Sequence, residues 1–127
     1  MNTDFPACNV AAQLASPQPT PGTLSVHAFW RRALASRKKH ADVFVYGDFE
    51  MLDLEHDKIV AFRRWSAEEA FVTVLNFSGE MVGWTGLGDV RVRKWVAGNY
   101  DERELEGRRV DGVVELRAWE GLLGVCE

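Results

Sequence analysis

Carboxylates are the side chains of this chain best suited to acid–base chemistry, because a close pair can divide the roles of proton donor and base or nucleophile. Asp53 with Glu55, Glu68 with Glu69, and the group Asp101, Glu102, Glu104 and Glu106 have that spacing. Each falls in a turn-like or polar stretch with no apolar wall to raise a pKa, so solvated surface carboxylates are expected. His27, His40 and His56 are scattered, with no metal-ligand spacing and no cysteine close in sequence. Cys8 and Cys126 lie near the two ends, and a Cys–His nucleophile pair on either has no support from spacing. Asn76-Phe77-Ser78-Gly79 lacks the pattern of a nucleophile elbow, and Gly86-Leu87-Gly88 opens no helix that could hold a phosphate. The residues therefore point to no catalytic site, no metal site and no cofactor.

Two further groups could bind rather than react. Trp30, Trp65, Trp84, Trp95 and Trp119 offer flat faces of the kind that stack on pyranose rings. Trp30 falls on the apolar face of a helix and Trp65, Trp95 and Trp119 in or beside strands, so packing in a core or a domain interface is the simpler expectation. Arg31–His40 is the one dense basic stretch. The chain as a whole carries 15 basic and 19 acidic residues, a net charge of −4, which gives no general attraction to nucleic acid or anionic lipid.

These residues must be positioned by few elements. Pro17, Pro19, Pro21 and Gly22 make residues 1–24 a loop and linker, with room for one short helical turn at Asn9–Leu14. Ser25 can cap a helix whose apolar residues, Val26, Phe29, Trp30, Ala33 and Leu34, recur at helical spacing. At Ala41-Asp42 the pattern changes. Val43–Tyr46 and Phe49–Asp53 flank Gly47-Asp48, which predicts a tight hairpin. Lys58–Trp65, Ala70–Phe77, Met81–Trp84, Val90–Ala97 and Val113–Val125 read as further strands, the last broken near Glu120-Gly121. Ser66–Glu69 and Gly86–Asp89 are turns, and Asn99–Arg109 is a polar surface loop. Several short strands between turns predict an antiparallel β-sandwich. With 127 residues and 46% hydrophobic content, a single domain can bury a core without disulfides.

No apolar run approaches the ~20 residues that cross a bilayer. The first residues lack the basic start and apolar block of a signal peptide. A cytoplasmic protein with two reduced thiols is therefore expected, in which the acceptor motif Asn76-Phe77-Ser78 goes unglycosylated.

Six stretches, in order, resemble the C-terminal region of the maltase- and isomaltase-type α-glucosidases of glycoside hydrolase family 13, the α-amylase superfamily. Asn9-Val10-Ala11-Ala12-Gln13 is similar to the segment after the eighth barrel strand. Ser25-Val26, Phe29-Trp30-Arg31-Arg32-Ala33-Leu34 and Arg37-Lys38 resemble the last barrel helix, and Phe44-Val45-Tyr46-Gly47-Asp48-Phe49-Glu50 the hairpin after it. Leu75-Asn76-Phe77-Ser78, then Lys94-Trp95-Val96 with Gly98-Asn99-Tyr100, then Leu116-Arg117-Ala118-Trp119-Glu120-Gly121 resemble later segments, with Ala118 where the family usually has proline.

The resemblance implies a linker over 1–24, the last helix of a (β/α)8 barrel over 25–41, and a C-terminal antiparallel β-sandwich over 42–127. It implies a parent enzyme that hydrolyses terminal α-linked glucose with retention. The catalytic aspartates and glutamate of that family sit on barrel strands that would lie upstream of Met1, so no position here inherits a catalytic or substrate-binding role. An inactive chain is expected, with the catalytic barrel as partner and the helix face at Val26, Phe29, Trp30, Ala33 and Leu34 partly exposed and prone to self-association. The alternative is a stand-alone carbohydrate-binding or regulatory sandwich contacting α-glucan or maltose, testable at Trp84.

Overall fold

A computed structural model of the protein describes residues 9–15, 25–100, 102–108 and 112–127. The Pro-rich linker and Cys8 lie outside the described residues. Asn9 opens helix α1 (Val10–Ala15) by accepting from the Ala12 amide at 2.8 Å. Ser25 caps α2 (Val26–Lys39) as expected, its Oγ accepting from the Ala28 amide at 3.1 Å. Arg37, Lys38 and Lys39 fill the last turn, where cations complement the free carbonyl end.

The hairpin expected at Val43–Tyr46 and Phe49–Asp53 does not form. Helix α2 ends at Lys39, and Ala41–Phe44 makes one more helical turn, α3, with Val43 fully buried. Four apolar-rich residues cannot by themselves distinguish a strand from a buried turn of helix. Gly47 is a close-approach glycine instead of a hairpin turn. A Cβ there would lie 2.5 Å from the Trp65 carbonyl oxygen and 2.6 Å from that of Val43. It lets the chain leaving α3 run against the end of the second strand.

Strand β1 (Asp48–Asp53) therefore pairs forward, with β2 (Ile59–Trp65). Strands β3 (Ala70–Asn76), β5 (Val92–Gly98) and β7 (Gly121–Cys126) complete an antiparallel sheet in the order β1-β2-β3-β7-β5. Strands β4 (Val82–Trp84) and β6 (Val114–Leu116) form a second, two-stranded sheet. The expected surface loop at Asn99–Arg109 contains a 3-10 turn, Glu102–Leu105, whose Leu105 packs on the core.

The core lies between the two sheets. Ile59, Ala61, Val72, Val74, Val92, Trp95 and Leu122 of the larger sheet meet Trp84, Val114 and Leu116 of the smaller, with Leu87 from the turn between β4 and β5. Gly124 stands opposite Trp95 in the β5–β7 register, and a Cβ there would press on the indole at 3.0 Å and on Val92 at 2.7 Å. The tryptophan thus occupies the space that the glycine leaves. Among the described residues no helix is long and apolar enough to cross a membrane.

Candidate functional site

Strand alternation gives the larger sheet a second, outer face. Phe62, Phe71, Leu75, Leu123 and Val125 sit on it, and α2 stands over it. The C-terminal end of the helix is pinned there. His40 Nδ1 meets Glu69 Oε2 at 2.8 Å, and the His40 and Phe44 rings pack on Phe71 with centroids 5.0 and 4.8 Å apart. Away from that pin the two layers separate, leaving a groove of about 830 Å³. No α2 residue is fully buried. Phe29 and Ala33 are half-buried against the groove, whereas Val26, Trp30 and Leu34 are 67%, 58% and 55% exposed. A helix whose apolar residues remain this open has made only part of the contact they are suited to.

At the N-terminal end of α2 a smaller hollow, about 390 Å³, is lined by Val26, Phe29, Leu75, Phe77 and Trp119. Trp119 takes φ +57°, in the left-handed region that side-chain-bearing residues rarely occupy. The corner that imposes this is tied on every side. The Trp119 amide donates to the Ser78 carbonyl, Asn99 Nδ2 to the Trp119 carbonyl and Tyr100 Oη to the Ala118 carbonyl, at 2.7–2.9 Å. Asn76 Nδ2 donates to the Arg117 and Glu80 carbonyls at 2.8 and 2.7 Å. Asn76 is 3% exposed, so the glycosylation motif is folded away.

Glu120 closes the corner from within. It is 1% exposed and accepts from Arg108 Nη1 at 2.7 Å, Arg117 Nη2 at 2.9 Å and the Arg117 amide at 2.7 Å. Burial pushes its carboxyl up, but the two guanidinium groups outweigh that and hold it down, at about 2. Arg117 also pairs with Glu104 at 2.7 Å and lies over the Tyr100 ring. Donating to the Glu120 carboxylate strengthens the Arg117 guanidinium's hold on its proton. This is a structural cluster, with every carboxylate oxygen of Glu120 engaged.

The sequence-selected carboxylates go to separate duties. Asp53 Oδ2 accepts from Trp84 Nε1 at 2.9 Å, and that bond holds its carboxyl below the usual range. The Glu55 amide donates back to Asp53 Oδ1. Glu68 is exposed, Glu69 pairs with His40 and Glu104 with Arg117, and Asp101 lies outside the described residues. Among the described ones, only Glu69 lines either hollow. His56 Nδ1 accepts from the Lys58 and Ile59 amides. Burial pushes the Cys126 thiol up, away from the reactive thiolate form. Among the described residues no three His, Cys, Asp or Glu gather as a metal site.

The tryptophans divide between core and surface. Trp84 and Trp95 are 2% and 4% exposed, so Trp84 offers no face to a ligand. Trp30 and Trp119 are the open ones. The sequence reading missed Glu120 as a buried acid. Its signal was the Arg117-x-x-Glu120 spacing at a strand break, while Arg108 arrives from a distant loop.

No protein-family model matches the chain. Its sequence is 35% identical to Saccharomyces cerevisiae α-glucosidase MAL32 over 98 residues, which is 76% of this chain and 16% of that protein. It is 34% identical to the same yeast's oligo-1,6-glucosidase IMA3 over 104 residues, 81% of this chain and 17% of that protein. The chain thus spans about a sixth of the length of these relatives. Its fold is that of a 21% portion of trehalulose synthase MutB from Pseudomonas mesoacidophila MX-45 (TM-score 0.83, 17% identity) and of isomaltulose synthase from Erwinia rhapontici NX5 (TM-score 0.83, 22% identity), each covering 100% of this chain. Sequence and β-rich architecture agree: the chain belongs to the α-glucosidases of glycoside hydrolase family 13, as a counterpart of their C-terminal region.

Proposed function

We propose that this chain serves as the supporting β-domain of a maltase-like α-glucosidase, catalytically silent by itself and acting through contact with a catalytic (β/α)8 barrel. The parent activity in this reading is hydrolysis of terminal α-linked glucose in short oligosaccharides. One observation carries it: the half-made contact of α2, with Trp30 and Leu34 open on one side and a groove on the other, in a chain whose match spans about a sixth of the length of the related enzymes. A cytoplasmic setting belongs to the same reading.

The test is complementation. The chain alone is expected to release no glucose from maltose or isomaltose. Co-expressed with MAL32 truncated to remove the matching C-terminal region, it is expected to co-purify with that fragment and raise its glucosidase activity. Glucose release by the chain alone overturns the reading of silence. A second reading, an α-glucan or maltose contact, is favoured only by Trp119 and Phe77, which are 61% and 60% exposed beside the smaller hollow. Saturable quenching of tryptophan fluorescence by maltose, lost in Trp119→Ala, would support it.

A further inference from the structure

We infer that the groove between α2 and the outer sheet face receives an amphipathic helix whose apolar side is flanked by carboxylates. This rests on the reading above that the outer face meets protein, and it adds the chemistry of what enters. Two observations carry it. The floor is apolar, with Phe62, Phe71, Leu75, Leu123 and Val125 from three neighbouring strands and Phe29 on the helical wall. An apolar sheet face is ordinarily covered by a layer of helices, and α2 supplies one helix standing off to one side. A second helix laid alongside would complete that layer.

The rim is cationic. Arg32, Arg37, Lys39, Arg64, Arg93 and Lys94 line the groove. They are six of the chain's 15 basic residues, whereas among the described residues Glu69 alone of the 19 acidic ones lines it, and Glu69 is tied to His40. On a chain of net charge −4 this concentration is local, and it selects an occupant with negative flanks.

The experiment uses two synthetic amphipathic peptides of equal length and identical Leu/Ala pattern, one flanked by Glu and the other by Lys, each carrying a fluorophore for anisotropy. The Glu peptide is expected to bind the chain saturably and to weaken as salt rises, and the Lys peptide is expected not to bind. Arg93→Glu with Lys94→Glu, two exposed positions, is expected to cost about tenfold in affinity for the Glu peptide while circular dichroism stays unchanged. Equal binding of both peptides, no binding of the Glu peptide, or indifference to the double substitution overturns the inference. So does tighter, competing binding of dodecanoate, which would make the groove a site for small anionic amphiphiles. If the Glu peptide fails while the chain still rescues truncated MAL32, this inference falls and the proposed function stands.

Discussion

Glu120 shows how much one side chain can organise. Its carboxylate joins Arg108 and Arg117, orders the Arg117–Glu120 corner, and so sets the backbone that presents Trp119. Glu120→Ala leaves two guanidinium groups facing each other at a buried point. The expected loss is about 3–5 kcal/mol, read from the midpoint of urea unfolding. Because the folded carboxyl titrates at about 2 against an ordinary 4.5, the unfolded chain binds more protons between those values. The contribution is therefore complete above about pH 4.5 and is lost as pH falls toward 2. In Glu120→Gln the fall in stability between pH 5 and pH 3 should be shallower than in the parent; an identical slope would assign the acid sensitivity elsewhere. Ser25 was legible in the sequence because its partner lies three residues away. Glu120 was not, because its meaning depends on Arg108, which only the folded loop brings to it.

Elements behaved in the same manner. The strands from Ile59 onward were readable because β-branched and aromatic residues run between clear turns, and each lies close to its expected place. The four residues of α3 were not, since a short apolar run takes the conformation its neighbours impose. What imposes it is the close approach at Gly47, and a substitution there checks the account. Gly47→Ala is expected to cost about 1–3 kcal/mol through the clash with the Trp65 and Val43 carbonyls. Were Gly47 an ordinary hairpin glycine, the cost would be smaller and would follow turn geometry instead. Ser25→Ala should remove about 1 kcal/mol by freeing the Ala28 amide, with loss of helical signal on heating before the sheet melts.

As a whole molecule the chain has one finished core and one unfinished surface. The space between the sheets is filled by Trp84, Trp95 and their neighbours, while the α2 side keeps Val26, Trp30 and Leu34 open. The amphipathic helix was visible from spacing alone, but its apolar stripe was expected to act as one face. In the fold it splits, with Phe29 and Ala33 toward the groove, Val26 at the edge of the smaller hollow, and Trp30 and Leu34 on the open side. The isolated chain should therefore bind a hydrophobic dye and show concentration-dependent association by analytical ultracentrifugation. Trp30→Lys with Leu34→Lys should suppress the association and leave the core intact. A monodisperse monomer that ignores the dye would remove the basis for a partner at this face.

The strand order β1-β2-β3-β7-β5 has a temporal consequence. Strand β7 lies between β3 and β5, and it follows both in the chain. Until residues 121–126 are synthesised and free to dock, β1-β2-β3 is a three-stranded sheet with an open edge, and β5 has no strand to pair with. The seam joining Leu75 to Gly121 spans three intervening strands and their loops, a distant pairing that forms slowly. During translation this domain thus waits with unpaired backbone edges for its last strand. Ribosome-bound chains halted before Gly121 should be cut readily by protease, and those extended past Glu127 by enough residues to clear the exit tunnel should resist it.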